Sequence, residues 1–595
     1  MSHGAIHLGS YEESRRSQQR SKWPLAILAT LAVGAIVSWP MGFSSILRFR
    51  EPEISTKDLC AQAAPRMPVG YNTSVILEEK ERIIALLQGA VRIRTEVYDE
   101  MGPFDEDPHW KGIGEFQAYL EKSFPIVHEK FTKSIHNLSL VYELEGSDSS
   151  LKPIFLTAHQ DVVPVLESTI PQWIHDPFSG DFDGKYIWGR GAADTKGSLI
   201  AILTALEHLF ETTDWKPTRG VVLGFGSDEE RGGQVGAPAV AKYLLDKYGK
   251  DSMSLLIDEG SGMRNVWGRQ FALPAVAEKG HYDLAITVET LGGHSSVPPL
   301  HTGIGLLSLL IAELEKNPHP ATLDESSPVY GFMTCAASYA SGMPNGLKKT
   351  VLHSASGDEK AWKALPEEII STGMQSASVG PGQGDPMRAM MSTTQATDLI
   401  SGGLKVNALP ETVRAVVNHR VNVASDHAEL ESRTIHTLLP VASKLNLTLI
   451  DFKGKVVHDG NPTSRVILSE AFGYYTDPAP ISPTDSTDED SAYTVMASTA
   501  RGMWASRRDV SPDGSIVQLD EEDELIMAPF MSTGNTDTRR YWDLTNNIYR
   551  FRYQPMEGSF GAHTINERVT ADDLVEFTRW YQAIILTMDQ ATNVP

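Results

Sequence analysis

The sequence predicts an α/β main domain on a mostly parallel central sheet, with an inserted α+β sandwich and one transmembrane helix ahead of it. Three observations carry this. Strand-like and helix-like runs alternate from residue 153 to 257. The pattern then changes to a smaller α+β rhythm over 282–455, and an uncharged stretch lies near the amino terminus. At 595 residues the chain is too long for one core. Its 41% apolar and 22% charged content is ordinary for a folded protein.

The amino terminus comes first. From Trp23 to Leu47 no residue is charged, a run of 25 residues against the ~20 that cross a bilayer as a helix. Trp23 and Trp39 stand near its ends, where interfacial aromatics belong. The tail 1–22 holds Arg15, Arg16, Arg20 and Lys22 against Glu12 and Glu13, a bias that keeps it cytosolic and sends the body across the membrane. A cleaved signal peptide is the alternative, but Trp39-Pro40-Met41 is a poor cleavage region. Sequons at Asn72, Asn137 and Asn446 suit a lumenal, glycosylated body. The two cysteines, Cys60 and Cys335, exclude a disulfide scaffold and a cysteine-based zinc site, and could pair in an oxidising lumen.

The body follows, with its first part expected over 60–281. Pro153–Ala158 reads as a buried strand ending at His159, and 197–211 as a helix with Leu199, Ile200, Leu203, Leu206 and Leu209 at helical spacing. Residues 220–226 read as a strand, 237–247 as a helix and 254–257 as a strand. This alternation implies a parallel sheet covered by helices. His159, Glu229, Glu230 and Asp258 fall just past its strand ends, where open α/β sheets place their sites.

The inserted domain, expected over 282–455, reads as strand 282–288, helix 303–316, strand 411–421, helix 426–445 and strand 447–452. Within it, about 320–395 is rich in Gly, Ser, Pro and Met and reads as irregular. The main domain is expected to resume over 456–595, with strands near 525–531 and 548–553. Ser482–Asp490 reads as an acidic surface loop, and a last helix over 571–588 is capped by Thr570.

A formal charge of −24 counts against nucleic-acid partners, which want a basic surface. The chemistry sits in five ordered motifs: Thr157-Ala158-His159-Gln160-Asp161, Gly189-Arg190-Gly191-Ala192-Ala193-Asp194, Ser227-Asp228-Glu229-Glu230, Ile257-Asp258-Glu259-Gly260 and Gly561-Ala562-His563-Thr564. Two histidines and several carboxylates without a cysteine suit a pair of zinc ions with room for water. Taken singly, Asp228-Glu229-Glu230 reads as a solvated acidic turn, and each histidine as a packed or surface one. The order of all five points to a site.

In that order the motifs resemble the dizinc exopeptidases, the family of aminoacylase, bacterial glutamate carboxypeptidase and succinyl-diaminopimelate desuccinylase. Within it they are most similar to the branch of fungal vacuolar carboxypeptidase S, the Gly-X carboxypeptidases. The resemblance covers residues 60–595 and the amino-terminal anchor. It implies two Zn2+ per subunit bridged by Asp194, with His159 and Asp258 completing one site and Glu230 and His563 the other. Asp161 would receive the second ring N–H of His159, and Glu229 would be the general base. A cis bond would follow Asp194. His294, in Gly292-Gly293-His294-Ser295-Ser296, would stabilise the oxyanion in a partner subunit's site. Asn407, Arg420 and Arg539 would contact substrate, the arginines through its carboxylate.

The implied activity is hydrolysis of the amide bond before the carboxy-terminal residue of short peptides, by a vacuolar type II membrane protein that could dimerise through the inserted domain. Hydrolysis of N-acyl, including fatty-acyl, amino acids is the nearest rival, and a non-catalytic membrane-tethered binding protein is the rival from another class.

Overall fold

The computed structural model describes residues 59–373, 385–555 and 558–595. The expected tail and transmembrane segment, 1–22 and 23–47, lie outside the described residues. Among the described residues no helix is long and apolar enough to cross a membrane.

The main sheet is mixed, where the sequence led us to expect a mostly parallel one. Its centre is parallel: Val221–Gly226, Ile154–His159, Leu255–Val266 and Ile548–Pro555 run side by side in one direction. Its margins are not. Ser139–Leu144 joins Val221–Gly226 antiparallel, and Thr132–His136 joins Ser139–Leu144 the same way through a tight turn. Asn137 and Leu138 form that turn with φ of 50° and 63°, the left-handed pair that two-residue hairpins use. Ala275–Glu278 pairs antiparallel with the far central strand. Strands buried on both faces read as unbroken apolar runs, as in Ile154-Phe155-Leu156 and Val221-Val222-Leu223, and all six residues are buried.

Among the helices that cover one face, two are buried most deeply. Lys196–Thr212 is buried over most of its length, and Ala571–Gln590 packs against it and against the strand Ile548–Pro555 through Trp580, Tyr581 and Ile584. Thr570 caps the second helix as expected, its hydroxyl accepting from the Asp573 N–H. Arg219 ties down the far end of that helix, donating to the carbonyls of Met588, Ala591 and Val594.

The chain enters the second domain along Gly280–Glu289. This strand is flanked antiparallel by Thr412–Val421 and by Asn461–Glu470, and the sheet has six strands among the described residues. Helices Gly303–Lys316 and His427–Lys444 cover it, with Leu307, Leu310, Leu430 and Leu438 in its core. The domain therefore runs to Glu470, beyond the expected boundary at 455. Only Val466 and Leu468 of Asn461–Glu470 are buried, so no long apolar alternation marks this strand. The way in and the way out lie together: His281 and Thr476 exchange backbone hydrogen bonds of 2.8 and 2.9 Å.

The stretch expected to be irregular is instead helical. Pro328–Tyr339, Asn345–Ala355, Glu359–Thr372 and Pro386–Met391 form a cluster. Its methionines fill gaps: Met333, Met343, Met387, Met390 and Met391 are all buried. The cluster shares its core with Phe271, Ile526 and Met531 of the main domain rather than with the second sheet. Cys60 and Cys335 are bonded in a disulfide there, across a sequence separation of 275. The acidic loop Ser482–Asp490 carries no strand and no helix, as expected.

Both sulfurs are buried and close a long loop, so the bond removes much freedom from the unfolded chain. Replacing Cys60 and Cys335 by Ser should cost about 2–4 kcal/mol. Thermal denaturation reads this as a lower melting temperature with unchanged far-ultraviolet circular dichroism, and an unchanged melting temperature would count against it.

Candidate metal centre

Each motif reaches the same place by a different local device. His159 is the last residue of Ile154–His159. Asp194 ends a turn just before helix Lys196–Thr212. Glu229 and Glu230 form a single tight turn past Val221–Gly226, closed by Gly232 at φ 90°, a conformation that favours glycine. Glu259 sits inside the long strand Leu255–Val266. His563 follows the short strand Ser559–Phe560.

These side chains make two groups that share one carboxylate. In the first, His159 Nε2 lies 3.4 Å from Asp194 Oδ1 and 3.2 Å from Glu259 Oε1. In the second, His563 Nε2 lies 3.1 Å from Asp194 Oδ2 and 2.9 Å from Glu230 Oε2. Asp194 thus stands between the two histidines, and the peptide bond after it is cis, as the resemblance implied.

The first group holds a carboxylate that was not among the expected residues. Asp258 was expected beside His159, and in the structure Glu259 lies within 3.2 Å of its Nε2. Successive residues of a strand point to opposite faces. Asp258 is in register with Arg550 of the neighbouring strand and Ser261 with Phe551, so Glu259 and Gly260 bulge out of the ladder, and Asp258 Oδ2 is buried without a hydrogen-bond partner. Glu259 therefore faces the histidine.

The tautomer of His159 is also set differently. Its Nδ1 meets the main-chain carbonyl of Asp161 at 2.9 Å, with the Asp161 carboxylate 3.5 Å away. That carboxylate instead accepts from the Glu230 N–H at 2.9 Å. Asp161 therefore aligns both groups, one through its backbone and one through its side chain.

The electrostatics call for cations. Burial alone would lower the pKa of His159, but Glu259, Asp161 and Asp194 hold it well above its ordinary value. Hydrogen bonds to the Asp194 and Glu230 carboxylates push His563 up to about 10. Burial raises Glu259 to about 8, and it raises Glu229 well above the usual range, with Glu259, Asp537 and Glu230 adding to it. His159 Nε2 and Glu230 Oε1 are buried without a hydrogen-bond partner. Crowded carboxylates, raised histidines and orphaned donor atoms are what a pair of divalent ions would relieve, and imidazole and carboxylate ligands without thiolate suit zinc. No ion is present.

The expected substrate residues fall in two places. Arg420, on Thr412–Val421, donates to Asn535 Oδ1 at 3.2 Å, while Arg539 donates to the Gly232 carbonyl beside the glutamate turn. Burial and the nearby Arg539 lower the pKa of Arg420, against the pull of Asp283. These two cations thus meet at the junction of the domains. His294 and Asn407 are elsewhere: both are exposed on paired loops of the second domain, where Gly293 and His294 pair with Leu409 and Ala408 and the Ser295 N–H donates to the Asn407 carbonyl.

Two residues near the centre were missed. Glu567 accepts from the N–H groups of Gly191, Ala193 and Asp194, and Arg552 donates to the carbonyls of Ala193 and Gly260. No motif marks them, because they act on main chain.

Comparison with known proteins agrees with this geometry. The chain is 35% identical to carboxypeptidase S of Saccharomyces cerevisiae over 528 residues, covering 86% of this chain and 85% of that protein. It is 31% identical to the N-fatty-acyl-amino acid synthase/hydrolase of Mus musculus over 525 residues, covering 86% and 88%. The crystal structure of human carnosine dipeptidase 1 has the same fold, with a TM-score of 0.52 at 16% identity over 87% of this chain and 98% of that one. Residues 155–587, which include all five residues of the two groups, match one peptidase family, and the chain belongs to it: peptidase family M20/M25/M40.

Proposed function

We propose that this protein is a zinc-dependent carboxypeptidase that hydrolyses the amide bond before the C-terminal residue of short peptides, of the Gly-X kind. The observation that carries this reading is the pair of ligand groups sharing Asp194, with Glu229 one residue from the ligand Glu230. His159, Asp194 and Glu259 would hold one zinc ion, and Asp194, Glu230 and His563 the other. Bound there, the ions supply Lewis acidity toward the scissile carbonyl and a water molecule. Glu229, its pKa raised by burial among other acids, takes the proton of the attacking water and passes it to the leaving amine. Arg420 and Arg539 suit the free carboxylate of the substrate, a group guanidinium grips well.

Hydrolysis of N-acyl amino acids uses the same centre and differs only in the acyl pocket. The mouse relative favours it as the second reading. A panel of Gly-Leu-type dipeptides and N-fatty-acyl amino acids, assayed with chelator and after zinc add-back, distinguishes the two. We expect zinc-restored hydrolysis of the dipeptides. Turnover of the acyl substrates alone would shift the assignment to the second reading, and turnover unaffected by chelation would overturn both.

Two substitutions separate ligand from base. Glu229→Gln should retain two zinc ions and lose turnover by at least about 100-fold, the usual scale of a proton-transfer residue. Glu259→Gln should lose zinc, whereas Asp258→Asn should lose less. Metal analysis of the purified variants checks this. Near-normal turnover in Glu229→Gln, or full zinc in Glu259→Gln, would sink the corresponding role.

The second domain suits pairing of two copies. Leu291, Val297, Leu300, Leu404 and Val406 are almost wholly exposed on its loops, beside His294 and Asn407. Leu399 and Ile400 are exposed on its edge strand Ala396–Gly402. Patches and free edges of this kind are seldom left open in a monomer. In a pair, His294 would serve the other copy's site. Light scattering should report a dimer, and Leu404→Asp with Val406→Asp should give monomers of reduced turnover. A monomeric parent chain would refute the pairing.

The body is best placed in a lumenal compartment, such as the vacuole, tethered through 23–47. The buried disulfide suits an oxidising compartment, and Asn72, Asn137 and Asn446 are all exposed as glycosylation acceptors must be.

A further inference from the structure

Asp194 is the residue both ligand groups share, so its placement decides both. It stands at the end of a turn closed by two local hydrogen bonds, from the Ala192 N–H to the Gly189 carbonyl at 3.1 Å and from the Lys196 N–H to the Gly191 carbonyl at 3.0 Å, with Gly189 and Gly191 at φ of 141° and 86°. Further restraints come from far along the chain. Glu567, wholly buried, turns one carboxylate oxygen to three main-chain N–H groups, those of Gly191 and Ala193 at 2.9 Å and of Asp194 at 3.1 Å. Its other oxygen accepts from Arg190 at 2.6 Å. From the opposite side, Arg552 donates to the Ala193 carbonyl at 2.5 Å and to the Gly260 carbonyl at 3.3 Å.

The single peptide group joining Ala193 to Asp194 is therefore held at both ends, its N–H by a carboxylate and its C=O by a guanidinium. Arg552 also reaches the residue after Glu259. One pair of side chains thus connects the turn that carries Asp194 with the strand that carries Glu259, and Glu567 lies four residues after His563.

We propose that Glu567 and Arg552 are positioning residues for the bridging carboxylate: they clamp the Ala193–Asp194 peptide so that Asp194 faces both metal positions at once. This rests on the metal centre proposed above. Charge-assisted hydrogen bonds of this kind are the strong ones, and outer partners of metal ligands typically control affinity by roughly 10–100-fold. Neither residue touches a metal position, so the effect should appear first in zinc affinity and only through it in turnover.

The test uses the full chain. Zinc retention is titrated against a competing chelator for the parent protein, Glu567→Gln, Arg552→Met and the double variant, with the melting temperature of each metal-free chain measured alongside. We expect each single variant to lose zinc affinity by about 10–100-fold. The double variant should lose less than the product of the two, because both act on one peptide group. Arg552→Lys, which restores one donor, should recover part of the loss. Affinities within about twofold of the parent, with only the metal-free melting temperature lowered, would reduce both residues to packing and overturn the proposal, as would a double variant whose loss equals the product. Arg552 is half-buried, so its variants keep the test decisive should Glu567→Gln fail to fold. A parent chain that binds no zinc would overturn the metal centre itself, a result distinct from failure of the clamp.

Discussion

The rest of the structure is arranged around one electrostatic problem, the close gathering of Asp194, Glu229, Glu230 and Glu259. Like charges at such spacing and burial repel strongly and raise one another's pKa. Two histidines within hydrogen-bond reach relieve part of this, and His159 and His563 are driven toward the charged form by it. Bound divalent ions would relieve the remainder, which makes the acidic cluster a means of binding and no defect of the core. The parallel centre of the sheet matters because it delivers three of these segments to one edge. The antiparallel margins carry no ligand.

Much of this was legible in the sequence, for definable reasons. Motif order marked the segments that the fold brings together, those of His159, Asp194, Glu230 and His563. What sequence could not give was parity. Asp258 and Glu259 are adjacent carboxylates, and which of them turns to His159 depends on the bulge at Glu259–Gly260, visible only through the pairing with Ile548–Pro555 nearly 300 residues away. The same holds for Asp161, whose backbone carbonyl does the work expected of its side chain. Main-chain acceptors carry no residue signature.

The helical cluster was missed for a different reason. Its apolar surface is built from Met and Ala with Gly and Pro between, a composition that resembles a loop when no partner is known. Its partner is the main domain, met through Phe271, Ile526 and Met531. The cluster is thus nested in sequence inside the second domain yet packed on the first, and the disulfide from Cys335 to Cys60 fixes it there. Sequence adjacency suggested the wrong host.

The position of His563 has a consequence for how the protein is made. A growing chain presents its ligands in order, and His159, Asp194, Glu230 and Glu259 are all synthesised before the second domain begins. His563, with Glu567 behind it, emerges only after that domain has been completed. Until then the acidic cluster lacks its second histidine and the Asp194 turn lacks its clamp. On the proposed reading, the metal centre is complete only once the segment that carries His563 has been made.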